Sequence, residues 1–168
     1  MEIRKREVLP PAHQLALMLQ ICTIGHAEQY DKGGNPYALH PIRVSQYLHT
    51  RDFELMCIAL GHDLIEDKCK YNGELITFQM LRDLGFSERV IEGIRCLTKL
   101  PGETLREYIE KVKSNIDAVL VKLCDLRHNS DIRRLKGVTE KDIQRMIKYH
   151  GLHMELDEFR RNYQGAPA

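Results

Sequence analysis

The segment Gly61-His62-Asp63-Leu64-Ile65-Glu66-Asp67 places an imidazole and three carboxylates at the end of the most apolar run in the chain. Buried charge is costly unless it is paired or bound to a metal, so this concentration calls for a chemical explanation. Glu66 lies one turn beyond His62, and Asp67 one turn beyond Asp63, so a continuous helix would line one pocket with all four. A second anomaly is Asp125, which interrupts the apolar stretch Val119–Leu126, with Asn129 one turn further on. Taken alone, Asp125 also reads as the solvent-facing residue of an amphipathic helix. A third is His40, in Leu39-His40-Pro41-Ile42, which alone also reads as a capping or core-edge histidine. Two imidazoles and two carboxylates from separate helices, without a thiolate, make a credible site for Mn²⁺, Fe²⁺ or Zn²⁺ that leaves positions open for water and phosphate.

The elements that must position these residues read as helices throughout. Leu15, Leu17, Met18, Ile21 and Cys22 mark a first amphipathic helix after Pro10-Pro11. It must end before Asp31-Lys32-Gly33-Gly34-Asn35-Pro36-Tyr37, which is loop chemistry. A second helix starts near His40-Pro41 and runs through Leu48, and a third is expected over residues 52–64. Shorter ones follow near 77–84 and 87–98. Thr104-x-x-Glu107 is a capping box, Ser114 is the expected cap of the helix carrying Asp125, and Thr139 caps the last long helix, which ends near residue 163. Clear strand alternation is absent. The expectation is a single all-α domain of seven or eight helices over residues 1–168, with a frayed tail at 164–168.

Composition narrows the function. Lys and Arg number 25 against 24 Asp and Glu, a net charge of +1, which argues against a broad nucleic-acid footprint. No run approaches the roughly 18 apolar residues of a membrane helix, and the basic start lacks the apolar core of a secretory signal. Five cysteines, odd in number and mostly inside apolar runs, read as reduced core thiols of a cytoplasmic protein. Gly33-Gly34 is not a P-loop, because the Gly-Lys-Ser/Thr ending is missing. No Ser or Cys has a neighbouring base pattern for covalent catalysis.

Three ordered motifs carry a family resemblance across residues 10–150: Lys32-Gly-Gly-Asn-Pro-Tyr-Ala-Leu-His40-Pro-Ile-Arg-Val, Gly61-His-Asp-Leu-Ile-Glu-Asp67 and Val121-Lys-Leu-Cys-Asp-Leu-Arg-His-Asn129. The sequence resembles the HD-domain metal-dependent phosphohydrolases, and more narrowly the hydrolase domain of the RelA/SpoT alarmone enzymes and the small alarmone hydrolases. The resemblance implies a helical HD fold and a metal, expected to be Mn²⁺, held by His40, His62, Asp63 and Asp125. It implies Glu66 and Asp67 as the acidic pair beside the attacking water, with Glu66 orienting or deprotonating it and Asp67 assisting. Lys32, Asn129 and Tyr149 match residues that face nucleotide or phosphate. Two positions depart from the pattern. Asp31 stands where an arginine usually packs on guanine, and Ile132 where a threonine is common. Asp31 is therefore expected at the nucleobase edge, accepting hydrogen bonds and weakening ground-state binding. No length remains for a synthetase domain, so pyrophosphokinase activity is not expected.

The implied function is a metal-dependent nucleotide phosphohydrolase, foremost an alarmone 3′-pyrophosphohydrolase acting on ppGpp-like substrates. Asp31 keeps open a phosphohydrolase of another nucleotide: a dNTP, a nucleoside monophosphate or a phosphorylated dinucleotide. A non-catalytic nucleotide-binding regulator remains the third reading, with oligomeric state undetermined. Among the other histidines, His13, His26, His49, His150 and His153 read as surface or core-edge residues, and His128 is expected to point away from Asp125. Arg127, Arg133, Arg134 and Lys136 read as a solvated face or a phosphate-steering patch.

Overall fold

The structure, a computed structural model, describes residues 7–163. The expected frayed tail at 164–168 lies outside the described residues. Among the described residues eight α-helices run in the order α1 (Pro11–Gly25), α2 (Leu39–Tyr47), α3 (Phe53–Gly61), α4 (Phe78–Asp83), α5 (Glu88–Leu97), α6 (Leu105–Lys113), α7 (Ile116–Asn129) and α8 (Glu140–Asn162), with a short 3-10 turn at Ile132–Arg134. The all-α expectation holds.

Side-chain caps start most of them. Asp52, Thr77, Ser87, Thr104, Asn115 and Thr139 each accept a hydrogen bond from a backbone N–H in the first turn, and capping boxes close at Thr104/Glu107 and Thr139/Asp142. Ser114 is not the cap of α7. It closes α6, where its hydroxyl donates to the Lys111 carbonyl, and Asn115 takes the capping place through Ala118 N–H.

α3 is the central element, packed against α1, α2, α5 and α7, with Cys57, Ile58, Ala59 and Leu60 fully buried. It is shorter than the sequence suggests. α3 ends at Gly61, and the chain turns through residues 62–68, where Lys68 takes a left-handed conformation. Gly61 allows the close packing at that point: a Cβ there would lie 2.6 Å from Ile94 Cδ1. A further difference is a two-stranded antiparallel hairpin, Lys70–Tyr71 with Glu74–Leu75. Asn72-Gly73 turns it, with φ of 52° and 83°, the left-handed pair that this dipeptide favours in tight hairpins. Strands of two residues are too short to show alternation, so only the turn signalled them.

α7 lies between α2, α6 and α8, with Val119, Val121 and Leu126 on its buried face. Cys22, Cys57, Cys69 and Cys96 are buried and Cys124 half-buried, all as free thiols. No helix among the described residues is long and apolar enough to cross a membrane.

Candidate metal centre and nucleotide cleft

Three helix ends bring the chemistry together. His40 sits in the first turn of α2, His62 and Asp63 follow directly on α3, and Asp125 lies in the last turns of α7. His40 Nε2 lies 3.0 Å from Asp125 Oδ1 and 3.6 Å from Asp63 Oδ2. His62 Nε2 lies 3.1 Å from Asp63 Oδ2 and 3.7 Å from Asp125 Oδ1. His40, His62 and Asp125 offer ligand atoms all within 4.8 Å of one another, and His40, His62 and Asp125 are buried.

The imidazole tautomers decide what this cluster can hold. His62 Nδ1 lies 2.6 Å from the Ala59 carbonyl, which only accepts, so Nδ1 carries a proton and the Nε2 lone pair of the neutral ring faces the carboxylates. His40 Nδ1 lies 2.7 Å from His128 Nδ1, so one proton is shared on that side too. Neither His40 Nε2 nor His62 Nε2, both buried, finds a geometrically sound hydrogen bond. A lone pair on either Nε2 facing carboxylate oxygens at these distances repels them unless a proton or a metal cation stands between. The set is therefore a possible divalent-metal site of two imidazole nitrogens and two carboxylates.

Its electrostatics point the same way. Burial by itself would lower the pKa of His62, but Asp63 and Asp125 outweigh it and hold it well above the ordinary value. Burial would raise Asp63 and Asp125, yet His62 depresses the first, and Lys122 with the two imidazoles depresses the second. Without a metal, protons supply the positive charge that these carboxylates demand.

Neighbouring side chains anchor the candidate ligands. Lys122 Nζ donates to Asp125 Oδ2 at 2.8 Å, Asn129 Nδ2 to Asp125 Oδ1 at 2.6 Å, and Tyr37 Oη to Asp63 Oδ2 at 2.7 Å. Sequence reasoning gave no role to Tyr37, Lys122 or His128. His128 does not point away. It is three residues from Asp125, a spacing that keeps both on one helical face, and this was the available signal. His26, read as a surface or core-edge residue, lies inside: it is buried, with Nδ1 2.6 Å from Gln29 Oε1 and its ring against Tyr37.

Beside the cluster lies a cleft of about 300 Å³ lined by Asp31, Lys32, Tyr37, Asn129, Arg134 and Tyr149, among others. All four sequence-selected substrate positions, Asp31, Lys32, Asn129 and Tyr149, thus face one cavity, and Tyr37 joins it to Asp63. Lys32 is exposed, with its nearest carboxylate, Asp142, 3.9 Å away. The Asp31 carboxylate is not a free acceptor. Oδ1 accepts from Gly33 N and Asn35 N, both at 2.9 Å, and Oδ2 from Arg134 Nη2 at 3.1 Å. An Asx-type loop spends its carboxylate on its own backbone.

The acidic pair is split by the turn at 62–68. Glu66 accepts from Lys99 N–H at 2.8 Å, so one of its oxygens is tied to the loop after α5. The Asp67 pKa is pushed up to about 6 by partial burial and by the Asp63 and Glu66 carboxylates.

No family model matches the sequence. The GTP pyrophosphokinase of Myxococcus xanthus is 30% identical over 138 residues, covering 73% of this chain and 17% of that protein. The guanosine-3′,5′-bis(diphosphate) 3′-pyrophosphohydrolase of Vibrio cholerae is 30% identical over 135 residues, covering 73% of this chain and 18% of that protein. The chain resembles the RelA/SpoT enzymes. It spans less than a fifth of the length of these two curated relatives. A solved structure described as a metazoan ortholog of SpoT that hydrolyzes ppGpp superposes with a TM-score of 0.68, at 23% identity, over 92% of this chain and 97% of that one. This RelA/SpoT-like chain therefore shares the helical fold of that protein along nearly its whole length.

Proposed function

We propose that this protein is a metal-dependent nucleotide phosphohydrolase, acting as an alarmone 3′-pyrophosphohydrolase on ppGpp-like substrates. The observation that carries the reading is the pair of unpartnered, buried Nε2 atoms of His40 and His62 facing Asp63 and Asp125 beside a nucleotide-sized cleft. The relatives named for ppGpp hydrolysis support the substrate class. A divalent cation held by His40, His62, Asp63 and Asp125, assigned as Mn²⁺, would supply Lewis acidity toward a phosphoryl oxygen and the attacking water.

In the reaction a water oxygen bonds to the phosphorus carried by the ribose 3′ oxygen. The 3′ O–P bond breaks, pyrophosphate departs, and the 3′ oxygen takes a proton from solvent water to become a free hydroxyl. Asp67 takes the water proton, since its raised pKa suits a base working near neutrality. Glu66, anchored at Lys99 N–H, supports Asp67 electrostatically rather than acting first, which reverses the order expected from sequence. Tyr37 and Lys122 fix the carboxylate ligands from outside. Lys32 neutralises phosphate charge at the cleft mouth, and Asn129 and Tyr149 line the nucleotide. We place the protein in the cytoplasm, in keeping with its five free thiols.

The occupied carboxylate of Asp31 favours a second reading, another nucleotide whose base is not read at that edge. A panel of ppGpp, dNTPs, nucleoside monophosphates and phosphorylated dinucleotides with Mn²⁺, scored for phosphate against pyrophosphate, tests both. Pyrophosphate from ppGpp carries the first reading, and turnover of another member with ppGpp intact carries the second. Nucleotide binding without turnover of any member would instead assign a regulator.

A further inference from the structure

Arg134 lies in the 3-10 turn beyond α7, and its guanidinium reaches back between two parts of the site. Nη2 donates to Asp31 Oδ2 at 3.1 Å. Nη1 donates to the His128 carbonyl at 3.0 Å and sits 3.4 Å from Asn129 Oδ1. His128 and Asn129 are the residues whose side chains hold His40 and Asp125, at 2.7 and 2.6 Å. One planar cation thus grips the loop on one edge and both supports of the candidate metal ligands on the other. The loop is pressed against the same turn: a Cβ on Gly33 would stand 2.2 Å from the Arg134 carbonyl oxygen, so only glycine fits.

We propose that Arg134 is a positioning residue that couples the loop 31–37 to metal occupancy at His40 and Asp125. The inference rests on the metal-site reading above. Asp31 gives the coupling its reach, because the carboxylate that binds Arg134 also receives the Gly33 and Asn35 N–H groups. A loop in this conformation fixes Arg134, which fixes Asn129 and the backbone at His128, which in turn hold the ligands. Thermodynamic reciprocity then requires bound metal to favour the ordered loop to the same extent. Lysine at 134 keeps the charge but cannot span three acceptors with a rigid fork. Arg133 supplies the control, since its side chain is 85% exposed and, among the described residues, pairs with the nearby Asp131 alone.

The test is Mn²⁺ titration by calorimetry on the wild type, Arg134→Lys, Arg133→Lys and Asp31→Asn, with hydrogen exchange of residues 31–37 measured with and without Mn²⁺. Arg134→Lys is expected to lose about tenfold in Mn²⁺ affinity, the order found for supports of metal ligands. Mn²⁺ is expected to slow exchange in the wild-type loop and to lose that effect in Arg134→Lys. Arg133→Lys is expected to behave as wild type. Asp31→Asn keeps an acceptor for the loop backbone and weakens the ion pair, so it reports on the coupling if Arg134→Lys fails to fold. Unchanged Mn²⁺ affinity, or loop exchange that is faster by the same factor with and without Mn²⁺, overturns the inference while leaving the metal site standing. A wild type that binds no Mn²⁺ overturns the site reading and this inference with it.

Discussion

His40 Nδ1 and His128 Nδ1 lie 2.7 Å apart in the contact between α2 and α7, with the two rings stacked at 4.9 Å. One nitrogen donates and the other accepts, so His128 governs which face of His40 is left to bind a metal. His128→Ala removes that partner and is expected to lower Mn²⁺ affinity by roughly 10–100-fold. His128→Asn, which restores an acceptor, is expected to recover part of it. Calorimetric titration separates this from loss of fold, and equal affinity in all three proteins would remove His128 from the site.

The same residue sets a pH dependence of stability. Burial first, and then the Arg134, His40 and Arg43 charges, push the His128 pKa from 6.5 down to about 4. Between those values the unfolded chain binds a proton that the folded chain resists, so this contribution is full above pH 6.5 and is lost as pH falls toward 4. His26 is depressed by burial and acts with the same sign, while His62 acts with the opposite one. Urea unfolding of the metal-free protein from pH 7.5 to 4 is therefore expected to show a shallower fall for His128→Asn than for wild type.

The split of the acidic pair predicts unequal roles. Asp67→Asn is expected to reduce kcat by about 10²–10⁴, as for a lost general base. Glu66→Gln keeps the acceptor for Lys99 N–H and is expected to stay within tenfold of wild type, on the order of one supporting interaction. A metal ion that offsets the Asp63 charge removes one of the causes that raise the Asp67 pKa, so the tenfold-per-unit decline of kcat/KM in the metal-loaded wild type should begin below pH 6. A larger effect from Glu66→Gln than from Asp67→Asn would return the leading role to Glu66.

Asp31→Arg, which installs the arginine that the family resemblance implies for this position, is expected to raise KM rather than lower it. The substitution removes the acceptor for Gly33 and Asn35 and sets a second guanidinium against Arg134. Losing one charge-assisted hydrogen bond of about 1.5–3 kcal/mol corresponds to tenfold or more. Steady-state kinetics on the preferred nucleotide decides it, and a lower KM would restore the base-edge placement of Asp31.

In the core, Gly93 of α5 packs so closely on α3 that an added Cβ would stand 2.4 Å from Ile58 Cδ1 and 2.9 Å from Ile58 Cγ2. Ile58 is fully buried, so it cannot swing aside. Gly93→Ala is expected to destabilise by about 1–3 kcal/mol, the range for overpacking, as read by urea unfolding.

The sequence by itself determined the helices and the candidate ligand types. Helical periodicity, the Thr104 and Thr139 capping boxes and the polar residues stranded in apolar runs are local signals, carried by residues within a few positions of one another. It also marked His62 and Asp63 at the end of the most apolar run, Asp125 inside an apolar helix and His40 at a helix start, because polar groups beside apolar runs are conspicuous in sequence. What the tertiary structure decided were the partners. Glu66 meets Lys99, His40 meets His128, and Asp31 meets Arg134, 103 residues away, each across a contact between different elements. A carboxylate in a Gly-rich loop reads the same in sequence whether it faces a ligand, its own backbone or a distant guanidinium. Only the packing of that loop on the turn after α7 settles which, because hydrogen bonds are satisfied by what lies within 3 Å in space and not along the chain.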